Sequence, residues 1–240
     1  MFSPEIKSKG TLAMKQYLFA LSLSVLPTTG FAANLSQSSI EELKSEIQNI
    51  ATTNQARTDN YKQVRAELEP LVKELVSRTS QTVDERIEGK YGTWQQLWTD
   101  DADDTRPNNF LTKVDRTRTF QVVDPKGFFY NVSEIETAIN LRLTVFLRGE
   151  YKREGEGLGI KFTNLDIKVL GVNDVTDITY KLENKKEKFF PATKFSQYPS
   201  RGPVGAEGFI NTVYVDDDLR IDYGYNKGDM VMDMFILKKI

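Results

Sequence analysis

From Gly92 to the C-terminus the chain falls into short runs in which apolar and polar residues alternate, and no helix-length segment separates one run from the next. This constrains the fold more than any other feature, because parallel strands need a crossover of a dozen or so residues, usually a helix, whereas antiparallel strands need only a turn. The clearest run is Ile139 to Leu147, with Ile139, Leu141, Leu143, Val145 and Leu147 on one face, Asn140, Arg142, Thr144 and Arg148 on the other, and only Phe146 out of step. Trp94, Gln96 and Trp98 share a face of a first strand. Phe120 to Val123 and Phe128 to Val132 form the next two, around a turn at Asp124-Pro125-Lys126-Gly127. Gly159 to Val169, with a bend or bulge near Asn164, and Val175 to Leu182 follow, and Tyr198 to Gly208 reads as an irregular connection. The chain closes on Thr212 to Val231, a long hairpin that turns at Asn226-Lys227-Gly228 and runs into an apolar strand ending at Ile236. About eight strands over about 150 residues predict a mainly β fold, an antiparallel β-barrel of about eight strands, whose interior is either filled by side chains or wide enough for one small ligand.

What precedes the barrel is helical. Ser39 followed by Glu42 is a capping-box signature, and Ile40, Leu43, Ile47 and Ile50 recur at helical spacing. A second stripe holds Tyr61, Val64, Leu68, Leu71, Val72 and Leu75, with Pro70 inside it, where a kink or a fresh helix start is expected. The stripe has two readings: it packs on the following domain, or it forms a lid or arm toward a membrane or a partner. Mixed charge and the lack of Trp or Phe on the stripe do not favour insertion into a bilayer. Further upstream, Lys7, Lys9 and Lys15 precede the apolar run Tyr17 to Leu26, Pro27 follows, and Gly30-Phe31-Ala32 offers small residues before Ala33. This is the three-part pattern of a secretory signal peptide, with Met14 as an alternative start. The expected organisation is therefore a signal segment at 1–33, cleaved after Ala32, a helical lead-in at 34–88 and the barrel at 89–240. Export to a periplasmic or secreted location follows from it.

Composition removes several function classes. There is no histidine and no cysteine, so Ser-His-Asp hydrolases, cysteine nucleophiles, His-liganded zinc sites and disulfide scaffolds drop out. With 32 basic and 34 acidic residues, the net charge of −2 gives no electrostatic footprint for nucleic acid. At 39% apolar residues over 240 positions, the chain can bury a core without staples.

Three groups of residues then carry a resemblance. Gly92, Trp94, Leu97, Trp98 and Thr99 open the barrel; Phe120, Gln121 and Asp124 follow, with Asn131 a little beyond. Thr212, Tyr214, Asp216, Asp217, Asp218, Leu219, Arg220, Ile221 and Gly224 precede Lys227-Gly228 and the closing apolar strand. In these places, over about Tyr61 to Leu237, the chain resembles the plastid lipid-associated protein or fibrillin (PAP/fibrillin) family. It departs from the family's pattern at Gln96, where an apolar residue is usual, and at Asp222-Tyr223-Gly224 with the additional Tyr225; a bacterial-type signal also sets it apart from the plastid members. The resemblance implies a lipocalin-like barrel that binds or carries small hydrophobic molecules such as isoprenoids, quinones or acyl lipids.

The residues expected to line a cavity are Trp94, Gln96, Trp98, Phe120, Tyr214, Arg220, Tyr223 and Phe235, since such pockets are mainly apolar with a few placed polar groups. If the two tryptophan rings line that cavity, removal of either is expected to weaken binding without unfolding the barrel. Asp216 to Asp218 read as alternating surface acids, one of which pairs with Arg220 and pins the strand register. Asp100, Asp101, Asp103 and Asp104 read as a solvated loop rather than a Ca²⁺ site, lacking the Gly and terminal Glu of an EF-hand. Asn131-Val132-Ser133 is a glycosylation sequon in a host that glycosylates. The expected function is non-catalytic carriage of a small hydrophobic ligand, with no catalytic residue, metal or cofactor. The alternative is a structural or interaction protein with a filled barrel and helices that dock on a partner. Peripheral membrane contact stays open, and nothing in the sequence sets an oligomeric state.

Overall fold

The computed structural model of the chain describes residues 35–57, 59–101, 112–169, 190–191, 204–227 and 231–240. The expected signal segment, the strand expected at Val175 to Leu182 and much of the connection expected at Tyr198 to Gly208 lie outside them.

Helix α1 (Ile40–Asn54) starts where the capping box places it: the Glu42 amide donates to Ser39 Oγ at 3.2 Å while the Ser39 amide donates to the Glu42 carboxylate at 2.7 Å. It runs one turn past Ile50. Helix α2 (Tyr61–Arg78) continues through Pro70 without a break, because Leu68, Leu71 and Val72 around the proline are all buried and hold the helix in register. A third helix, α3 (Val83–Gly89), was not part of the sequence expectation. Its signal was a second capping box, Thr82 with Glu85, closed by bonds of 3.2 and 2.7 Å.

Among the described residues nine strands follow: β1 (Gly92–Thr99), β2 (Thr112–Asp124), β3 (Phe128–Thr137), β4 (Arg142–Glu154), β5 (Gly157–Val169), β6 (Phe190–Pro191), β7 (Glu207–Val215), β8 (Leu219–Asn226) and β9 (Asp233–Lys239). All pairings are antiparallel. Eight of the strands close into a barrel: β1 to β5 pair in sequence, β5 pairs with β7, β7 to β9 continue, and β9 returns to β1, while the two-residue β6 lies beside β5. The fold is thus the mainly β, helix-preceded, eight-stranded barrel that the alternation predicts.

The apolar stripes of α1 and α2 pack on the outside of β1, β7, β8 and β9. Leu43, Ile47, Val64, Leu68 and Leu75 form one core with Trp98, Tyr214, Leu219, Ile221, Met234 and Ile236. Polar ties flank this contact. Lys44 Nζ meets Asp216 Oδ2 at 2.7 Å, Gln48 donates to Asp218 at 2.7 Å, and Arg65 Nη1 meets Asp100 Oδ2 at 2.6 Å.

Helix α3 instead closes one end of the barrel, where Ile87 packs with Val123, Phe129, Leu158 and Ile160. The corner from α3 into β1 is made at Gly92, whose φ of 125° lies where a side chain would be strained. Because the Thr82 hydroxyl satisfies an otherwise unpaired amide of α3, Thr82→Ala is expected to lower stability in urea by about 1 kcal/mol. No measurable change would mean that seating on the barrel alone fixes the helix.

Two local expectations are corrected. The strand expected from Ile139 begins at Arg142, since Asn140 takes a φ of 58° in a turn closed by Asn140 N–H to Thr137 O at 2.9 Å, and Ile139 stands 78% exposed at its tip. The three acids of the closing segment are the β7–β8 turn itself rather than strand residues. Asp216 Oδ1 accepts from the Asp218 and Leu219 amides, each at 2.8 Å, and Oδ2 accepts from Tyr214 Oη at 2.7 Å. Burial works against the Asp216 carboxylate, but these bonds and Lys44 hold its pKa below the usual value.

Candidate functional site

Within the barrel, a cavity of about 610 Å³ is lined by side chains from all eight closing strands. Its wall is uneven in chemistry. Along β2 and β3, Thr119 stands opposite Ser133 and Gln121 opposite Asn131, so two successive cross-strand pairs turn neutral hydrogen-bonding groups inward, with Gln96 on β1 beside them. The wall made by β4, β5, β7 and β9 is apolar: Val145, Leu147, Ile160, Phe162, Ile210 and Phe235. On β8, Gly224 faces the cavity, where an added Cβ would come within 3.1 Å of both the Phe209 carbonyl and the Phe235 ring. Asp101, Val114, Ala206 and Asn226 line the end away from α3.

Below this space, toward α3, the lumen is filled. Trp94, fully buried, packs with Val215, Leu237 and Phe235. Its indole N–H donates to the Lys90 carbonyl at 2.8 Å, and its ring lies 5.1 Å from the Arg220 guanidinium and 5.4 Å from Lys239 Nζ. Arg220, 1% exposed, sits 3.0 Å from the Asp222 carboxylate, donates from Nη2 to Gln121 Oε1, and among the described residues leaves Nη1 without a hydrogen-bond partner. Asp222 also accepts from Thr212 Oγ1 at 2.6 Å. Lys90, the residue that caps the end of α3, is 1% exposed and its Nζ has no hydrogen-bond partner among the described residues. Burial pushes its pKa down to about 8, with the nearby Asp222 opposing and Arg220 and Arg86 adding to the effect. Burial likewise lowers that of Arg220.

The eight residues expected at the site are dispersed by this arrangement. Gln96 and Phe235 line the cavity. Trp94 and Arg220 lie inside the barrel but in its filled floor. Trp98, Tyr214 and Tyr223 are on the outer face beneath α1 and α2, with Arg65 5.7 Å from the Tyr223 ring. Phe120 is also turned away from the cavity, in a cluster with Val132, Phe146 and Tyr130. Two bulges explain part of this: the register shifts between Gln96 and Trp98 on β1, and again between Thr212 and Tyr214 on β7, and each shift moves the following side chains to the other face. Burial raises the pKa of both Tyr214 and Tyr223.

Residues outside the sequence expectation are Thr119, Gln121, Asn131 and Ser133 in the cavity and Lys90, Thr212 and Asp222 beneath it. The signal for the first four is polar residues at alternate positions of strands, Thr119-x-Gln121 and Asn131-x-Ser133, where one inward face was due to be apolar. Asn131 and Ser133 line the cavity, so the sequon faces the lumen, away from any surface enzyme. Of the loop acids, Asp100 pairs with Arg65 and accepts from the Met234 amide at 2.6 Å, while Asp103 and Asp104 lie outside the described residues. Among the described residues no cluster of three or more acidic side chains is placed to hold a metal ion.

A closed eight-stranded antiparallel barrel with an internal cavity and helices packed on its wall defines a lipocalin-like protein. The PAP_fibrillin family model matches residues 34–237, from the helical lead-in to the last strand, and the chain belongs to the PAP/fibrillin family. That family is generally lipid-associated and non-enzymatic. Compared with curated proteins and with solved structures, the chain matches none.

Proposed function

We propose that this protein binds and carries a small hydrophobic molecule, a lipid, isoprenoid or quinone, inside the barrel, without catalysing a reaction on it. The observation that carries this reading is the cavity of about 610 Å³, a volume within the roughly 300–1,000 Å³ of small-molecule sites. Its apolar wall suits a hydrocarbon body and its β2–β3 wall suits a few oxygen atoms. Among the described residues the upper part of the lumen holds this cavity, and the helical stripes are buried against the barrel, which takes support from the alternative of a packed barrel with partner-docking helices. Gln96 and Phe235 are the expected site residues that this reading keeps, joined by Gln121, Asn131, Leu147 and Phe162.

The test is to titrate the protein with the neutral dye Nile red and to identify any molecule extracted from it by organic solvent. Saturable binding is expected. Leu147 faces the cavity, so Leu147→Trp should fill part of it and weaken the dye by about tenfold or more while the far-ultraviolet circular dichroism of the barrel is retained. A dye that does not saturate on the parent protein would overturn the reading.

A further inference from the structure

The apolar wall says what the body of a ligand would be; the charges under the cavity floor bear on its polar end. Resting on the carrier reading above, we infer that the ligand is a singly negative amphiphile, a long-chain carboxylate, whose oxygen atoms seat at Gln121 above Arg220 and Lys90.

Three ionisable side chains are buried together in the floor, each at most 1% exposed: the cations Lys90 and Arg220 and the anion Asp222. The set therefore holds one more positive charge than negative. Asp222 is already engaged by Arg220 and by the Thr212 hydroxyl, whereas Lys90 Nζ and Arg220 Nη1 have no hydrogen-bond partner among the described residues. A buried, unpaired charge opposes folding, and an apolar side chain of similar size would have served the packing better. What an excess positive charge in a low-dielectric interior does favour is an anion nearby.

Gln121 connects that charge to the cavity. It lines the cavity, and its Oε1 accepts from Arg220 Nη2. A glutamine amide has one acceptor oxygen and one donor NH₂ group, so with the oxygen turned to the guanidinium the group left for a ligand is the donor. Asn131 directly across the ladder, and Thr119 and Ser133 one pair along it, add further groups able to donate to oxygen. A carboxylate matches donors and excess charge alike. A neutral alcohol of the same length takes the same space and meets the donors, but gains little from the charge. Arg220 is in this scheme a positioning residue: it fixes which way the Gln121 amide points and supplies charge from beneath.

The experiment is displacement of Nile red by hexadecanoate and by hexadecan-1-ol at pH 7, on the full chain and on two variants. Hexadecanoate is expected to bind at least about tenfold more tightly than the alcohol, the advantage of a hydrogen-bonded charge over a neutral group. In Lys90→Met the excess charge is gone, and the ratio of the two affinities should fall toward one. Gln121→Glu sets an internal anion against Arg220 and occupies the seat, and should also abolish the preference. A merely structural role for either residue would shift both ligands together and leave the ratio unchanged. Equal affinities on the parent chain, or a ratio that survives both substitutions, would overturn the inference while leaving the carrier reading intact, whereas failure of Nile red itself to bind would overturn both.

Discussion

Trp94→Ala is expected to destabilise the barrel by about 3–5 kcal/mol, the range for removing a large aromatic side chain from a well-packed interior. Truncation of Trp94 would be tolerated if the ring lined the cavity; its position makes it the floor instead. The ring is fully buried among Val215, Leu237 and Phe235, so truncation opens a void where three strands meet. Its N–H is also the donor to the Lys90 carbonyl at the end of α3, at 2.8 Å. Alanine leaves that acceptor unpaired, and the cations Arg220 and Lys239 each lose the aromatic ring they lie near. Trp94→Phe separates the contributions: it keeps most of the ring and loses the donor, for an expected loss of about 1–3 kcal/mol. Urea unfolding of the three proteins measures both. A loss of under about 1 kcal/mol for Trp94→Ala would mean that the floor collapses around the gap and that the ring is not what closes it.

How much of this was legible in the sequence follows from how far each signal reaches. The barrel was legible because alternation with a period of two reports a two-faced strand, and strands without intervening helices pair antiparallel. The α1 and α2 stripes were legible for the same kind of reason, and burial of Leu43, Ile47, Leu68 and Leu75 against the barrel follows from them. Which face of a strand points inward is a different matter. Counting by two from Trp94 puts Trp98 on the same side, but the bulge after Gln96 pairs Trp98 with Ile236 and sends it out to the helices. A bulge is an extra residue opposite a partner strand, and a single sequence does not display the partner.

The lining of the cavity was legible in smaller part, and the differences in placement share a cause. Aromatic residues were expected at the cavity because they carry the most contact area, yet Tyr214 and Tyr223 put theirs to use under α1 and α2, where the barrel needs an apolar exterior. The chemically distinctive wall is built instead from Thr119, Gln121, Asn131 and Ser133, whose short polar side chains look like any solvent face until the barrel closes and turns that face inward. Arg220 and Asp222 pair two residues apart on one strand face, which is readable in principle. The nearby triplet of acids offered a more obvious partner, and that triplet proved to be a turn that fastens α1 to the barrel through Lys44 and Gln48.

Lys90→Met is expected to stabilise the ligand-free protein at pH 7 by about 3 kcal/mol, an unusual direction for a fully buried position. The lysine ammonium is 1% exposed and its Nζ has no hydrogen-bond partner among the described residues. The charged groups facing it are Asp222 and Arg220 from β8 and Arg86 from α3, one attractive and two repulsive. Folding therefore lowers its pKa from 10.5 to about 8, which at about 1.4 kcal/mol per tenfold change in proton affinity corresponds to about 3 kcal/mol against the native state. The sign with pH is fixed by linkage. Below about pH 8 both states carry the proton and the full penalty is present. From there up to 10.5 the unfolded chain holds the proton and the folded chain does not, so native stability rises with pH. Methionine has no such dependence, and every other titrating group is common to both proteins. The stability difference between Lys90→Met and the parent should thus be largest near pH 7 and shrink steadily through pH values of about 9 to 10. Urea midpoints at several pH values give it directly. A difference that stays constant across that range would mean the amine reaches water, and Lys90 would then contribute no charge to the floor of the cavity.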